Sequence, residues 1–226
     1  MFVAGVDGCR GGWVCFKVEV TSLATSLTVI DLRSLLQNRP SGLACLGIDI
    51  PIGLLDGSRA CDKAARKLLG PRRNSVFPAP CRSALRVNSY VEGSAANRRT
   101  TGRGLSQQAW GIAPKIKEVD DAITPESQQW AFEIHPEVCF CALNGQRPMA
   151  HNKKSKEGAE DRLALLRTVF PEIEHHLLNR PSRVGVDDLV DAGAAAWTAF
   201  RRHQGNVGRV CEPERDKKGL EVTIYY

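Results

Sequence analysis

Five acids in this chain stand where acids are costly. Asp7 closes the apolar run FVAGV, Asp49 falls near the end of LACLGIDI (43–50), and Glu133 lies toward the end of WAFEIH (130–135). Asp188 and Asp191 are three apart in DDLVDAGAAAW, so on a helix both project from one face. An apolar strand has no structural use for an unpaired charge. Carboxylates brought together repel and take up protons unless a divalent cation sits among them. All-oxygen ligation selects Mg²⁺ or Mn²⁺ over zinc. Two such ions about 4 Å apart are a known arrangement for hydrolysing phosphodiesters. Structural readings stand beside these: an Asp before Gly forms turns, and Asp187 or Asp188 suits the positive end of a helix.

Other residues could serve such a site. His135 is followed by Pro-Glu and could act as a general base or substrate contact; equally, Pro-Glu commonly opens a helix. Arg10 lies in the glycine-rich turn after Asp7, within reach of a phosphate bound there. Arg72, Arg73, Ser75 and Arg82 flank Phe77 in a proline-stiffened loop, a poor core element that reads as substrate contact. Lys153, Lys154 and Lys156 read as a solvated loop. None of the eight cysteines forms a C-x-x-C pair; Cys139 and Cys141 are spaced like two residues on one side of a strand and read as buried thiols, not zinc ligands.

The net charge of +6 is unevenly spread. Residues 57–117 hold 13 Lys and Arg against two acids, Asp62 and Glu92, a local +11 that leaves the remainder at −5. Arginine forks match phosphate oxygens, and Phe77, Tyr90 and Trp110 in the same stretch offer faces for unpaired bases. The expected partner is a polyanion, nucleic acid first.

The elements that must position these groups follow from the hydrophobic pattern. Residues 2–7, 13–20 and 26–31 read as strands, the first two joined by a Gly-rich turn. Residues 32–37 form a short helix, and 43–50 a strand apolar enough to be covered on both faces. The stretch 57–122 reads as a basic insertion or lid: a helix over 59–69, a Pro-, Ser- and Arg-rich loop to 104, and a helix over 106–122 kinked at Pro114. A strand at 130–135, helices at 158–169 and 187–203, and a closing strand EVTIYY complete the chain. The small residues after Asp191 let the last helix pack close to a sheet. These 226 residues describe a single mixed α/β domain whose sheet begins with three antiparallel strands, which is not a doubly wound dinucleotide fold. Neither G-x-x-x-x-G-K-[ST] nor G-x-G-x-x-G occurs. No apolar run approaches the roughly 20 residues of a membrane span, and the N-terminus reads as a strand, so a cytoplasmic chain with reduced thiols is expected.

The chain resembles the domain-of-unknown-function family 429, described as predicted RNase H-like nucleases. The resemblance runs through GVDGCRGGWV (5–14), GIDIPIGL (47–54), RNSVFPAPCR (73–82), GLSQQAWGIAPKIKEVD (104–120), FEIHPEVCFCALNG (132–145) and DDLVDAGAAAW (187–197). Its first and last motifs also look like the RuvC-type resolvase branch of that fold, which combines a first-strand acid in a G-x-D-x-G-like turn with a D-x-x-D-A on the C-terminal helix. The resemblance implies an RNase H-like sheet with flanking helices. It also implies a two-metal-ion nuclease in which Asp7, Asp49, Asp188 and Asp191 ligate Mg²⁺ or Mn²⁺. Glu133 has no clear counterpart in the resolvase pattern; it would join the metal site or orient His135. The competing classes are a catalytically silent nucleic-acid-binding module and an actin-like ATP-dependent enzyme. The latter normally repeats the fold twice, which 226 residues do not accommodate.

Overall fold

The computed structural model describes residues 1–226. In chain order it places β1 (Phe2–Cys9), β2 (Gly12–Glu19), β3 (Thr25–Ile30), α1 (Leu32–Gln37) and β4 (Leu43–Ile48). Four helices follow: α2 (Ala60–Leu69), α3 (Tyr90–Thr101), α4 (Gln107–Gly111) and α5 (Ala113–Ala122). Then come β5 (Ala131–Glu133), α6 (Pro136–Leu143), α7 (Lys156–Arg167), α8 (Ile173–Leu178) and α9 (Val186–His203). A small hairpin, β6 (Glu214–Arg215) and β7 (Glu221–Val222), closes the chain.

The main sheet has the order β3-β2-β1-β4-β5. The first three strands pair antiparallel; β4 and β5 join β1 in parallel. This mixed five-stranded sheet with helices on its faces is consistent with an RNase H-like α/β fold. No helix is long and apolar enough to cross a membrane.

Strand periodicity decides which face each residue meets. Val3, Val14, Phe16 and Cys45 pack with residues of α6, α7 and α9 in one core cluster; Ala4, Val6, Leu46 and Ile48 join residues of α1 and α5 in another. Gly5 and Gly47, partners across β1 and β4, turn toward α9. A Cβ on Gly5 would lie 2.0 Å from the Ala196 nitrogen, and one on Gly47 2.7 Å from the Ala195 carbonyl oxygen. Two glycines on the sheet and an alanine stripe on the helix thus let backbones touch, fixing α9 at its closest approach.

Several local expectations are corrected. Cys139 and Cys141 lie on α6, not on a strand; the helix opens at Pro136, whose fixed φ suits a first turn. The Arg-rich loop contains α3, capped by Ser89, whose hydroxyl accepts the Glu92 N–H, and closed by Gly102 at φ +76°. The helix expected to kink at Pro114 is two helices that meet at Ile112. Of the closing segment only Glu221–Val222 forms a strand, with Tyr225 bridging to Ile134 beyond β5.

Candidate metal centre

The face assignment carries Asp7 and Asp49 to α9. Asp7 continues the parity of Val3 and Gly5, and Asp49 that of Cys45 and Gly47; the Asp49 N–H donates to the Val6 carbonyl at 3.0 Å, extending the parallel pairing. Asp191 lies one helical turn before Ala195, on the stripe that meets the glycines. Asp7, Asp49 and Asp191 each bring a carboxylate oxygen to within 4.8 Å of the others.

Their surroundings are poor in compensating charge. Lys153, from the loop between α6 and α7, donates to Asp191 Oδ2 at 2.5 Å. Asp191 is 2% exposed, and its Oδ1 is buried with no hydrogen-bond partner. Asp7 Oδ1 accepts the Gly8 N–H at 2.6 Å. Burial, followed by the charges of Asp49 and Asp191, raises the Asp7 carboxyl well above the usual range. Burial and then Asp191 push Asp49 up to about 8. Burial raises Asp191 against the pull of Lys153. Three carboxylates that resist ionisation, one with an orphaned buried oxygen, form an all-oxygen donor set that could hold a metal ion.

The remaining expected residues are placed differently. Asp188 stands outside the trio: its Oδ2 accepts the Gly185 N–H at 2.8 Å and caps α9, although its charge is felt at Asp7. Glu133 pairs in register with Ile48, whose side chain lies on the face opposite α9. It is held there by Arg59 at 2.6 Å and by the Ile52 N–H at 2.7 Å. Burial works against the Arg59 charge, but Asp62 and Glu133 more than offset it. Glu133 is therefore the buried end of an ion pair that ties α2 to the sheet.

Arg82 is likewise engaged within the protein. Its guanidinium grips both oxygens of Asp120 at 2.9 Å and reaches Asp216 at 2.5 Å. His135 precedes α6 as its N-cap, with Nε2 3.2 Å from the Ser75 carbonyl. A carbonyl can only accept, so Nε2 carries the proton; burial lowers the ring's pKa, and the neutral Nδ1 is left buried without a partner. Ser75 contributes that carbonyl to the contact. Arg72 is half-buried with an unpartnered Nε, Arg73 is exposed, and Arg10 is exposed in the β1–β2 turn.

Of the 13 cations in residues 57–117, four serve the fold. Arg59 and Arg82 are in ion pairs, Arg66 donates to the Arg73 and Val76 carbonyls, and Lys115 donates to the Gly12 carbonyl at 2.6 Å. Eight others are exposed: Lys63, Lys67, Arg73, Arg86, Arg98, Arg99, Arg103 and Lys117. Lys153 is the site residue that sequence reasoning missed. Its local sequence, NKKSKE, carries no sign that the loop returns to α9.

The profile of the family described as "Protein of unknown function (DUF429)" matches residues 5–216. The chain belongs to that family. The whole DUF429 match lies within the architecture above, and it includes Asp7, Asp49, Lys153 and Asp191. No curated protein and no solved structure matches the chain.

Proposed function

We propose that this protein is a metal-dependent nuclease, a hydrolase of phosphodiester bonds. The observation that carries the reading is the convergence of Asp7, Asp49 and Asp191, with Asp191 Oδ1 buried and unpartnered. These three side chains would hold Mg²⁺ or Mn²⁺; a two-ion arrangement would also draw on Asp188, one turn earlier on α9. A bound ion supplies Lewis-acid stabilisation of charge developing on a phosphoryl group. The protein's part is to hold the acids on three rigid elements and to fix the substrate backbone. The eight exposed cations between β4 and β5 suit phosphate contacts that position a strand without reading its sequence. Arg10 is exposed in the β1–β2 turn, three residues after Asp7. Eight free cysteines suit a reducing, cytoplasmic setting.

The test is a panel of single-stranded, duplex and branched RNA and DNA, incubated with Mg²⁺ and with Mn²⁺. Cleavage of at least one substrate, abolished by chelation and by Asp7→Asn, supports the reading. Binding without cleavage across the panel would favour a catalytically silent nucleic-acid-binding module. ATP turnover in the absence of nucleic acid would point to a different class.

A further inference from the structure

The grip on Asp191 differs from that on the buried Glu137 and Asp120. Glu137 is held on both oxygens by Arg162, at 2.9 and 2.8 Å, and Asp120 on both oxygens by Arg82. Asp191 instead receives one lysine on one oxygen. An arginine fork is preorganised and fixes a carboxylate in two places, whereas an ammonium is a point charge on a flexible stem. The Lys153 side chain is 35% exposed, although the carboxylate it contacts is 3% exposed. Beside it opens a cleft of about 310 Å³ bounded by Lys153, Lys154, Asp187 and Asp191, with Val186 and Val190 as an apolar wall. Lys153 therefore has somewhere to go, and that space is bordered by Asp191, one member of the trio.

We propose that Lys153 is an exchangeable counter-cation: it holds Asp191 while the trio lacks a divalent ion, and turns to a substrate phosphate in the adjoining cleft when the ion arrives. The inference rests on the reading of the trio as a metal site. It gives one residue two roles in sequence. Before loading, the lysine offsets part of the repulsion among three acids and competes with the ion for Asp191. After loading, the ion takes over that neutralisation and the ammonium is left facing the cleft with Lys154. The ligand of the cleft is thus a phosphodiester oxygen adjacent to the scissile group.

Titration calorimetry with MnCl₂ tests the first role. Lys153→Met removes the competitor and should tighten Mn²⁺ binding at least tenfold, about 1.4 kcal/mol. Lys153→Arg, which keeps the charge and can grip both Asp191 oxygens, should bind Mn²⁺ more weakly than the wild type; it also serves if the methionine variant folds poorly. The second role is read from binding of a short single-stranded oligonucleotide with Ca²⁺ in place of Mg²⁺. Lys153→Met should weaken binding and reduce the salt slope by roughly 0.7, one phosphate contact. Wild-type Mn²⁺ binding that Asp191→Asn abolishes and Lys153→Met leaves unchanged would overturn the exchange and spare the metal site. No Mn²⁺ binding to the wild type, or binding indifferent to Asp191→Asn, would overturn both.

Discussion

Two groups of acids in this protein meet opposite treatment. Asp120 and Asp216 share Arg82, and Lys218 also pairs with Asp120; Asp7, Asp49 and Asp191 share Lys153 alone. In the first group burial pushes the carboxyls up, but hydrogen bonds from Arg82, joined by Lys218 at Asp120 and by backbone N–H groups at Asp216, hold them below the usual range. In the second, burial prevails at all three, joined by repulsion from within the trio at Asp7 and Asp49, and all three are raised. The first group is a clasp that ties the segment between β4 and β5 to the C-terminal hairpin. The second is left short of positive charge where the ends of β1 and β4 meet α9. An acid whose counter-ion belongs to the fold supports the fold; acids that lack one fit the proposed binding of a cation from solution.

Substitution at the heart of each group separates them most sharply. Under the proposed nuclease reading, Asp7→Asn keeps the shape of the side chain and removes charge that metal binding would use, so cleavage should fall by on the order of a hundredfold or more. Its melting temperature should hold or rise, because one of three repelling acids has been neutralised. Retained cleavage with a large loss of stability would make Asp7 a turn residue and erase the distinction. Arg82→Ala should do the reverse. It leaves Asp120 and Asp216 without their shared guanidinium, at a cost of about 2 kcal/mol after allowing for its partial exposure and for Lys218. That corresponds to a fall of roughly 4–8 °C in melting temperature, measurable by calorimetry. An unchanged melting temperature would show that the clasp carries no stability.

The two groups also predict opposite responses to pH. The folded protein binds a proton at Asp49 more tightly than the unfolded chain does, so unfolding releases it between about pH 4 and about 8. Metal-free stability should therefore decline as pH rises through that window, and level off above it. The clasp acids are depressed, so their contribution is present above about pH 4 and disappears as pH falls below it. Urea unfolding at a series of pH values should show both limbs. Burial also raises Glu133 to about 7, so Asp49→Asn should lessen the neutral limb without abolishing it and leave the acid limb intact; a neutral limb unaffected by that change would mean the trio is not under charge strain.

The members of the trio were legible in the sequence, though not set apart from Asp188 and Glu133, because of the patterns they stand in. Asp7 and Asp49 interrupt apolar strands, and Asp191 shares a helix face with a run of small residues. The sheet order and the long last helix follow from the same patterns. Glu133 was misread although the signal was present: it alternates with Phe132 and Ile134, both on the α9 face, and so points the other way. Arg82 and Lys153 were misassigned for a different reason. Their partners lie 38 and 134 residues away for Arg82, and 38 away for Lys153. Such pairings are set by tertiary packing, and local sequence holds no trace of them. The capping Ser89 and closing Gly102 of α3 were readable, but the surrounding Pro and Arg content obscured them.

A smaller effect concerns the exposed cations. Alanine at both Arg98 and Arg99, which are solvent-facing on α3, should reduce the salt dependence of nucleic-acid binding by roughly 0.7–0.9 log units for each phosphate that is no longer neutralised, with no change in melting temperature. An unchanged slope would assign that surface to solubility alone.

The central claim is that Asp7, Asp49 and Asp191, with Lys153 alone among the protein's own cations, bind a divalent one. Anomalous diffraction from crystals soaked in MnCl₂ addresses it directly. The account predicts a manganese peak bonded to oxygens of all three carboxylates, including Asp191 Oδ1, and its loss in Asp7→Asn crystals. Crystals with no peak among the three acids, and Lys153 still on Asp191, would contradict it.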